Sequence, residues 1–227
     1  MWTIEEMKER GKAAFKANYW PCVWVALLMG IFAGGSGMSY RSGAGNTGSG
    51  GMQMSFQGDK TAIVVIVAVV AVALLIGLLI KVLIANPIEL GGVTFFTRNI
   101  EQGPVPFNTI KKGFENYWHN FSVMLLRDIY VILWMLLFLI PGFIKIYSYR
   151  MVPYILAEHP ELSAKEVITR SRRMMDGNKW QAFLLDLSFL GWVLLGIMTL
   201  GIVLVFWTGP YMESTQAALY LKLRDEA

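Results

Sequence analysis

From Thr61 to Ala85 the chain carries one charged residue, Lys81. As a helix rising 1.5 Å per residue, such a run is long enough to cross a bilayer core of about 30 Å. A helix satisfies its own backbone hydrogen bonds in lipid, so this stretch points to an all-α fold that spans a membrane. Composition agrees. Of 227 residues, 55% are apolar and 16% charged, too few charges for a soluble domain of that length. The apolar residues also gather in runs, with Trp and Tyr beside them as at a bilayer interface.

The runs are punctuated by a recurring unit. Lys12-Ala-Ala-Phe15-Lys-Ala-Asn18-Tyr-Trp20, Lys112-Gly-Phe-Glu-Asn116-Tyr-Trp118 and Arg173-Met-Met-Asp-Gly-Asn178-Lys-Trp180 each precede an apolar run. Asn86-Pro87-Ile88-Glu89, Val152-Pro153-Tyr154 and Gly209-Pro210-Tyr211-Met212-Glu213 each interrupt a second one. We read a single membrane domain, 1–227, built as a polytopic helix bundle. It has six spans in three helical hairpins (1–103, 104–160, 161–227), with interfacial amphipathic helices leading in. The spans fall at Tyr19–Gly34, Thr61–Ala85 continuing kinked to about Arg98, Phe121–Ile140, Phe143–Ala157, Phe183–Leu200 and Ile202–Leu223. Turns are expected at Pro141-Gly142 and Gly201. The Gly- and Ser-rich stretch 34–60 reads as a flexible external loop. Within it Gly43-Ala-Gly45-Asn-Thr-Gly48 matches a dinucleotide fingerprint in letters only, since no strand precedes it.

The lead-ins read as surface helices. In 1–16, Ile4, Met7, Ala14 and Phe15 share one face. In the second, Phe107, Ile110, Phe114 and Trp118 recur at helical spacing. Ser163-x-x-Glu166 is a capping box opening the third. Six crossings with both termini cytoplasmic place most Lys and Arg on the cytoplasmic side, leaving Arg41 and Lys60 in an outside loop.

The chain lacks a Walker loop, a His-Glu-x-x-His motif and a cysteine cluster. Its two histidines, His119 and His159, lie at interfacial positions, and Cys22 reads as an apolar packing residue. No cofactor, metal or nucleic-acid partner is expected, and no catalytic set is visible. What remains are charges at membrane depth. Glu89, Asp128, Arg150, Asp186 and Glu213 form a candidate intramembrane polar site, with Arg127, Lys81 and Lys145 at similar depth. Arg127, Asp128 and Asp186 also lie close enough to the cytoplasmic surface to snorkel. Each interrupting proline frees the carbonyl four residues before it, at Leu83, Tyr149 and Phe206, and in lipid these carbonyls need partners. Arg170, Arg172, Arg173 and Lys179 form a cluster suited to anionic lipid headgroups, at about 1 kcal/mol per basic residue.

Several motifs occur in series: Leu139-Ile-Pro-Gly-Phe-Ile-Lys145, Tyr149, Tyr154-Ile-Leu-Ala-Glu158-x-Pro160-x-Leu-Ser163, Ser171-x-x-Met174-Met-x-Gly177-x-Lys179, Leu187-Ser-Phe-Leu-Gly-Trp192, Thr199-x-Gly201, Pro210-Tyr211 and Ala218-x-Tyr220. This series resembles the bacterial membrane family called domain of unknown function 975. The resemblance covers the chain outside 34–58. It implies a multi-pass protein of the bacterial cytoplasmic membrane, loosely related to membrane domains attached to some glycerophosphodiester phosphodiesterases, and implies no activity. Two functions are open to such a chain. One is transport or lipid handling through the polar site. The other is a non-catalytic scaffold or accessory role, with anionic lipid or a membrane protein as partner.

Overall fold

The computed structural model describes residues 2–33, 65–66, 68–70, 72, 81–137 and 139–226. Every regular element among them is helical. In order they are α1 (Ile4–Ala17), α2 (Tyr19–Leu28) with a π-helical extension Met29–Ala33, a π-turn Lys81–Ala85, and α3 (Asn86–Glu101). A 3-10 helix (Phe107–Phe114), α4 (Tyr117–Leu137), α5 (Leu139–Ser148), α6 (Val152–Glu158) and α7 (Ala164–Met174) follow. Then come α8 (Lys179–Leu187), α9 (Leu190–Met198), a π-turn Leu204–Thr208 and α10 (Gly209–Glu226). The loop expected at 34–60 and most of the second expected span lie outside the described residues.

Two described segments are long and apolar enough to cross a bilayer, α4 and the combined α8–α9 stretch Lys179–Met198. A third arises if α1 and Tyr19–Phe32, bent by 107° at their junction, count as one span. The expected fourth span is not one helix: α5 ends at Ser148, a turn carries Tyr149, Arg150 and Met151, and α6 restarts at Val152. Pro153 explains the break, because its ring removes a donor and excludes the carbonyl a turn earlier. Pro141-Gly142 is not the turn expected there. Both residues lie inside α5, with Pro141 in its first turn, where a missing N–H costs nothing. The turn at Gly201 is present, with Leu200 at φ 53° and Gly201 at φ 89°.

The three helices that follow the prolines form the middle of the molecule. α3, α6 and α10 are buried along most of their length, α3 packs against both α6 and α10, and Tyr154 of α6 stacks on Tyr220 of α10 at 4.9 Å. Each lead-in docks on one of them: the 3-10 helix on α3, α7 on α6, and α1 on α10. This changes the reading of the lead-ins as helices with their apolar faces in the membrane surface. Met7 and Phe15 of α1 and Val167 of α7 are fully buried by protein, and Ile110 of the 3-10 helix is buried. The energetic drive is the same removal of apolar surface from water, met here by a neighbouring helix. Phe107, Phe114, Trp20, Trp118 and Trp180 remain exposed. The second lead-in is also shorter than its spacing suggests. Asn116, at φ 50°, separates it from α4, and Trp118 belongs to α4.

Two of the freed carbonyls find partners across the bundle. The Tyr117 hydroxyl donates to the Leu83 carbonyl at 2.9 Å, and the Tyr19 hydroxyl donates to the Phe206 carbonyl at 2.9 Å. Tyr19 and Tyr117 occupy the same place in their Asn-Tyr-Trp triplets. The third triplet has Lys179 there, and the Tyr149 carbonyl accepts from the Val152 N–H at 3.2 Å.

Candidate functional site

Arg150 stands in the turn between α5 and α6, where the broken helix leaves its side chain room to reach sideways to α8. Its guanidinium grips Asp186 with both ends: Nη1 donates to Oδ2 at 2.9 Å and Nη2 to Oδ1 at 2.8 Å. Tyr147 of α5 donates its hydroxyl to Oδ2 at 2.9 Å, and Gln216 of α10 donates Nε2 to Oδ1 at 2.9 Å. The carboxylate thus accepts four hydrogen bonds from three elements. The pair is nearly sealed, with side-chain exposures of 5% for Arg150 and 4% for Asp186.

A second cluster forms nearby in the sequence plan but on other elements. Arg127 of α4 donates to Glu89 of α3 through Nη1 at 2.7 Å, and to Asp128 through Nη2 at 2.8 Å. One cation bridges two carboxylates, and all three side chains are at most 12% exposed. Two ion clusters thus hold four of the five expected polar-site residues. Glu89 and Asp128 share Arg127, while Asp186 takes Arg150. Glu213 is buried on α10, on the helix that sends Gln216 to Asp186. Asp128 and Asp186 are buried among neighbouring helices, and the Arg127 side chain keeps 12% of its surface exposed.

Sequence reasoning did not assign Arg127 to the site, and missed Tyr147 and Gln216 altogether. Arg127 had a signal in its depth and its adjacency to Asp128. Tyr147 and Gln216 are neutral residues whose role depends on which helix faces which.

The basic cluster is outside this core. Arg170, Arg172 and Arg173 are exposed on α7, and Lys179 opens α8 with its ammonium 3.1 Å from Asp176. A cavity of about 300 Å³ lies between α5, α7 and α8, with Lys145, Arg172, Arg173, Lys179, Asp176 and Ser148 in its wall. Four cations face one carboxylate that Lys179 already engages. Arg170 lines a separate, wider cavity of about 710 Å³ with Lys165, Glu166 and Arg173. The capping box that starts α7 is formed: the Ser163 hydroxyl and N–H both donate to Glu166, at 2.6 and 2.9 Å. These bonds hold the Glu166 carboxyl below its ordinary range.

Among the described residues no group of three His, Cys, Asp or Glu side chains could hold a metal ion. A family model described as "Protein of unknown function (DUF975)" matches residues 138–227, the stretch holding α5 to α10. No curated protein and no solved structure matches the chain.

Proposed function

Taking as premise that residues 138–227 belong to the DUF975 family, we propose that this is a non-catalytic membrane protein that binds anionic phosphate headgroups. The binding place is the cavity between α5, α7 and α8. The observation that carries the reading is the charge of that wall, where Lys145, Arg172, Arg173 and Lys179 meet a single carboxylate. Phe143, Ile144 and Trp180, all exposed, flank it and suit a boundary between hydrocarbon and water.

In this reading the two buried ion clusters hold helices together and carry no cargo. Transport would need them hydrated and open, whereas Asp186 already accepts four hydrogen bonds and the cavities at α5–α7–α8 and α7 have neither Arg150 nor Glu213 in their walls. The finer topology is part of the proposal: six crossings as three hairpins, both termini cytoplasmic, in a bacterial cytoplasmic membrane. Reporter fusions after Trp180 and within Gly43–Gly51 test it, and an external signal at Trp180 would refute it.

The lipid reading is tested in nanodiscs containing phosphatidylglycerol or only phosphatidylcholine. Each basic residue near a charged surface contributes about 1 kcal/mol. Replacing Lys145, Arg172 and Lys179 with Gln should thus weaken anionic-lipid retention on the order of a hundredfold. Equal retention by parent and triple variant would reject the headgroup site.

A further inference from the structure

Between α3 and α6, two small cavities share Thr94, Arg98, Ala157 and Glu158 in their walls. The first, about 260 Å³, is closed by Lys112, Glu115 and Asn116 at the end of the 3-10 helix, and by Asn120 in the first turn of α4. The second, about 230 Å³, lies against Thr97, Glu101 and Tyr154. Both are smaller than pockets for drug-sized molecules, roughly 300–1,000 Å³, so each suits a group of few heavy atoms.

The two cations in the walls of this cleft are not spent on its carboxylates. Neither Arg98 nor Lys112 forms an ion pair with a described residue. Of the three carboxylates in the walls, Glu158 accepts from the Tyr220 hydroxyl at 2.6 Å and from Arg224 at 2.6 Å, and Glu101 accepts from the same Arg224 at 2.7 Å. Glu115 is exposed. The start of α4, a 21-residue helix, adds the positive end of its dipole beside Asn116 and Asn120.

Two oxygens supply an independent sign. Asn120 is 6% exposed and Thr97 5% exposed. Asn120 Nδ2 donates to the Glu115 carbonyl at 2.6 Å, while its Oδ1 has no partner. Thr97 Oγ1 is likewise buried without a partner. A buried acceptor left unmade costs about 1–3 kcal/mol, and each of these lines one of the two cavities. An occupant with hydroxyl donors would satisfy them.

We propose that this paired cleft is a second binding site, distinct from the cavity at α7, for a phosphate ester that carries hydroxyl groups. The phosphate lies against Arg98 and Lys112. A hydroxyl donates to Asn120 Oδ1, and another exchanges a hydrogen bond with Thr97 Oγ1. The same chemistry occurs in a phosphatidylglycerol headgroup and in a soluble phosphate ester such as glycerol phosphate.

Purified full-length protein in phosphatidylcholine nanodiscs is titrated with glycerol phosphate and with inorganic phosphate, and separately exchanged against phosphatidylglycerol. Binding by either hydroxyl-bearing form supports the site, and whichever form binds names its source. Arg98→Gln and Asn120→Asp should each raise the dissociation constant at least tenfold, and Arg98→Lys should recover most of it. In the glycerol phosphate titration, the binding step that Arg98→Gln removes should persist in Arg172→Gln with Lys179→Gln, which separates this site from the one at α7. Arg98 is only partly buried, so its variant reports even where Asn120→Asp misfolds. Arg98→Gln binding like the parent, or inorganic phosphate binding as tightly as the ester, would overturn the proposal.

Discussion

The Arg150–Asp186 pair allows a quantitative test of whether the bundle is held by buried charge. Asp186 accepts two bonds from Arg150, at 2.9 and 2.8 Å, and one each from Tyr147 and Gln216. Arg150→Met removes half of these donors and the whole compensating charge, while the carboxylate stays covered by α5 and α10. Breaking a buried pair from one side costs about 3–5 kcal/mol. For a chain of this size each kcal/mol moves the midpoint by roughly 2–4 °C, so Tm in detergent should fall by roughly 6–20 °C. Asp186→Asn should cost a similar amount, since it removes the carboxylate that takes two bonds from the buried guanidinium. The double variant Arg150→Met/Asp186→Leu should recover much of the loss, because removing both charges also removes the burial penalty. A double-mutant cycle therefore has a large coupling term. Strictly additive losses, or an Arg150→Met protein within 2 °C of the parent, would refute the structural role assigned to the pair.

Three further outcomes follow from other contacts. Arg127→Met removes the cation that bridges Glu89 and Asp128, so it should lower Tm more than Glu89→Gln, which keeps the Arg127–Asp128 contact; the reverse order would contradict the bridging geometry. A Cβ on Gly91 would overlap the Ile110 carbonyl, whereas Gly30 has open space around it; Gly91→Ala should cost about 1–3 kcal/mol by overpacking, and Gly30→Ala should cost no stability by thermal melting. Glu166 has a depressed pKa through its bonds to Ser163, so its cap contributes above the ordinary carboxylate pKa and is lost as pH falls through the lower folded value. Hydrogen-exchange protection at the start of α7, corrected for intrinsic rates, should thus fade only in acid, and should do so less in Glu166→Gln, whose amide oxygen caps without titrating.

What could be read from the sequence was mostly what local chemistry dictates. Pro153 marks a real break, Pro87 and Pro210 sit where a π-helical turn passes into an α-helix, Ser163 and Glu166 form the box their spacing requires, and Leu83 and Phe206 do have carbonyls that need outside donors. Partner choice was not legible. Depth along a helix grouped Arg150 with several carboxylates, but its bidentate pairing with Asp186 depends on which way each helix faces. The buried polar run Glu213-Ser-Thr-Gln216 is a second case. In sequence it weakens α10 as a membrane span, yet it is covered because α1, α2 and α3 close around it. The amphipathic lead-ins misled for the opposite reason. An apolar stripe states that something covers it, and a bilayer surface and a neighbouring helix satisfy that demand equally.

The two ion clusters have one placement in common. Each joins a residue at or just beside a proline break to the long apolar helix next to it. Glu89, two residues beyond Pro87, meets Arg127 of α4, and Arg150, three before Pro153, meets Asp186 of α8. A proline break leaves a helix free to pivot, because the restraining backbone bond is missing there. Apolar packing alone tolerates sliding and rotation, since exchanging one aliphatic contact for another changes the energy little. A bidentate carboxylate–guanidinium pair does not tolerate it, because its bonds fail within a fraction of an ångström and a few tens of degrees. Placing the charges beside the breaks thus fixes the angle at which α3 and α6 leave the apolar layer. That angle in turn sets the gap between them where Arg98 stands, so loosening either pair should disturb the cleft before it unfolds the protein.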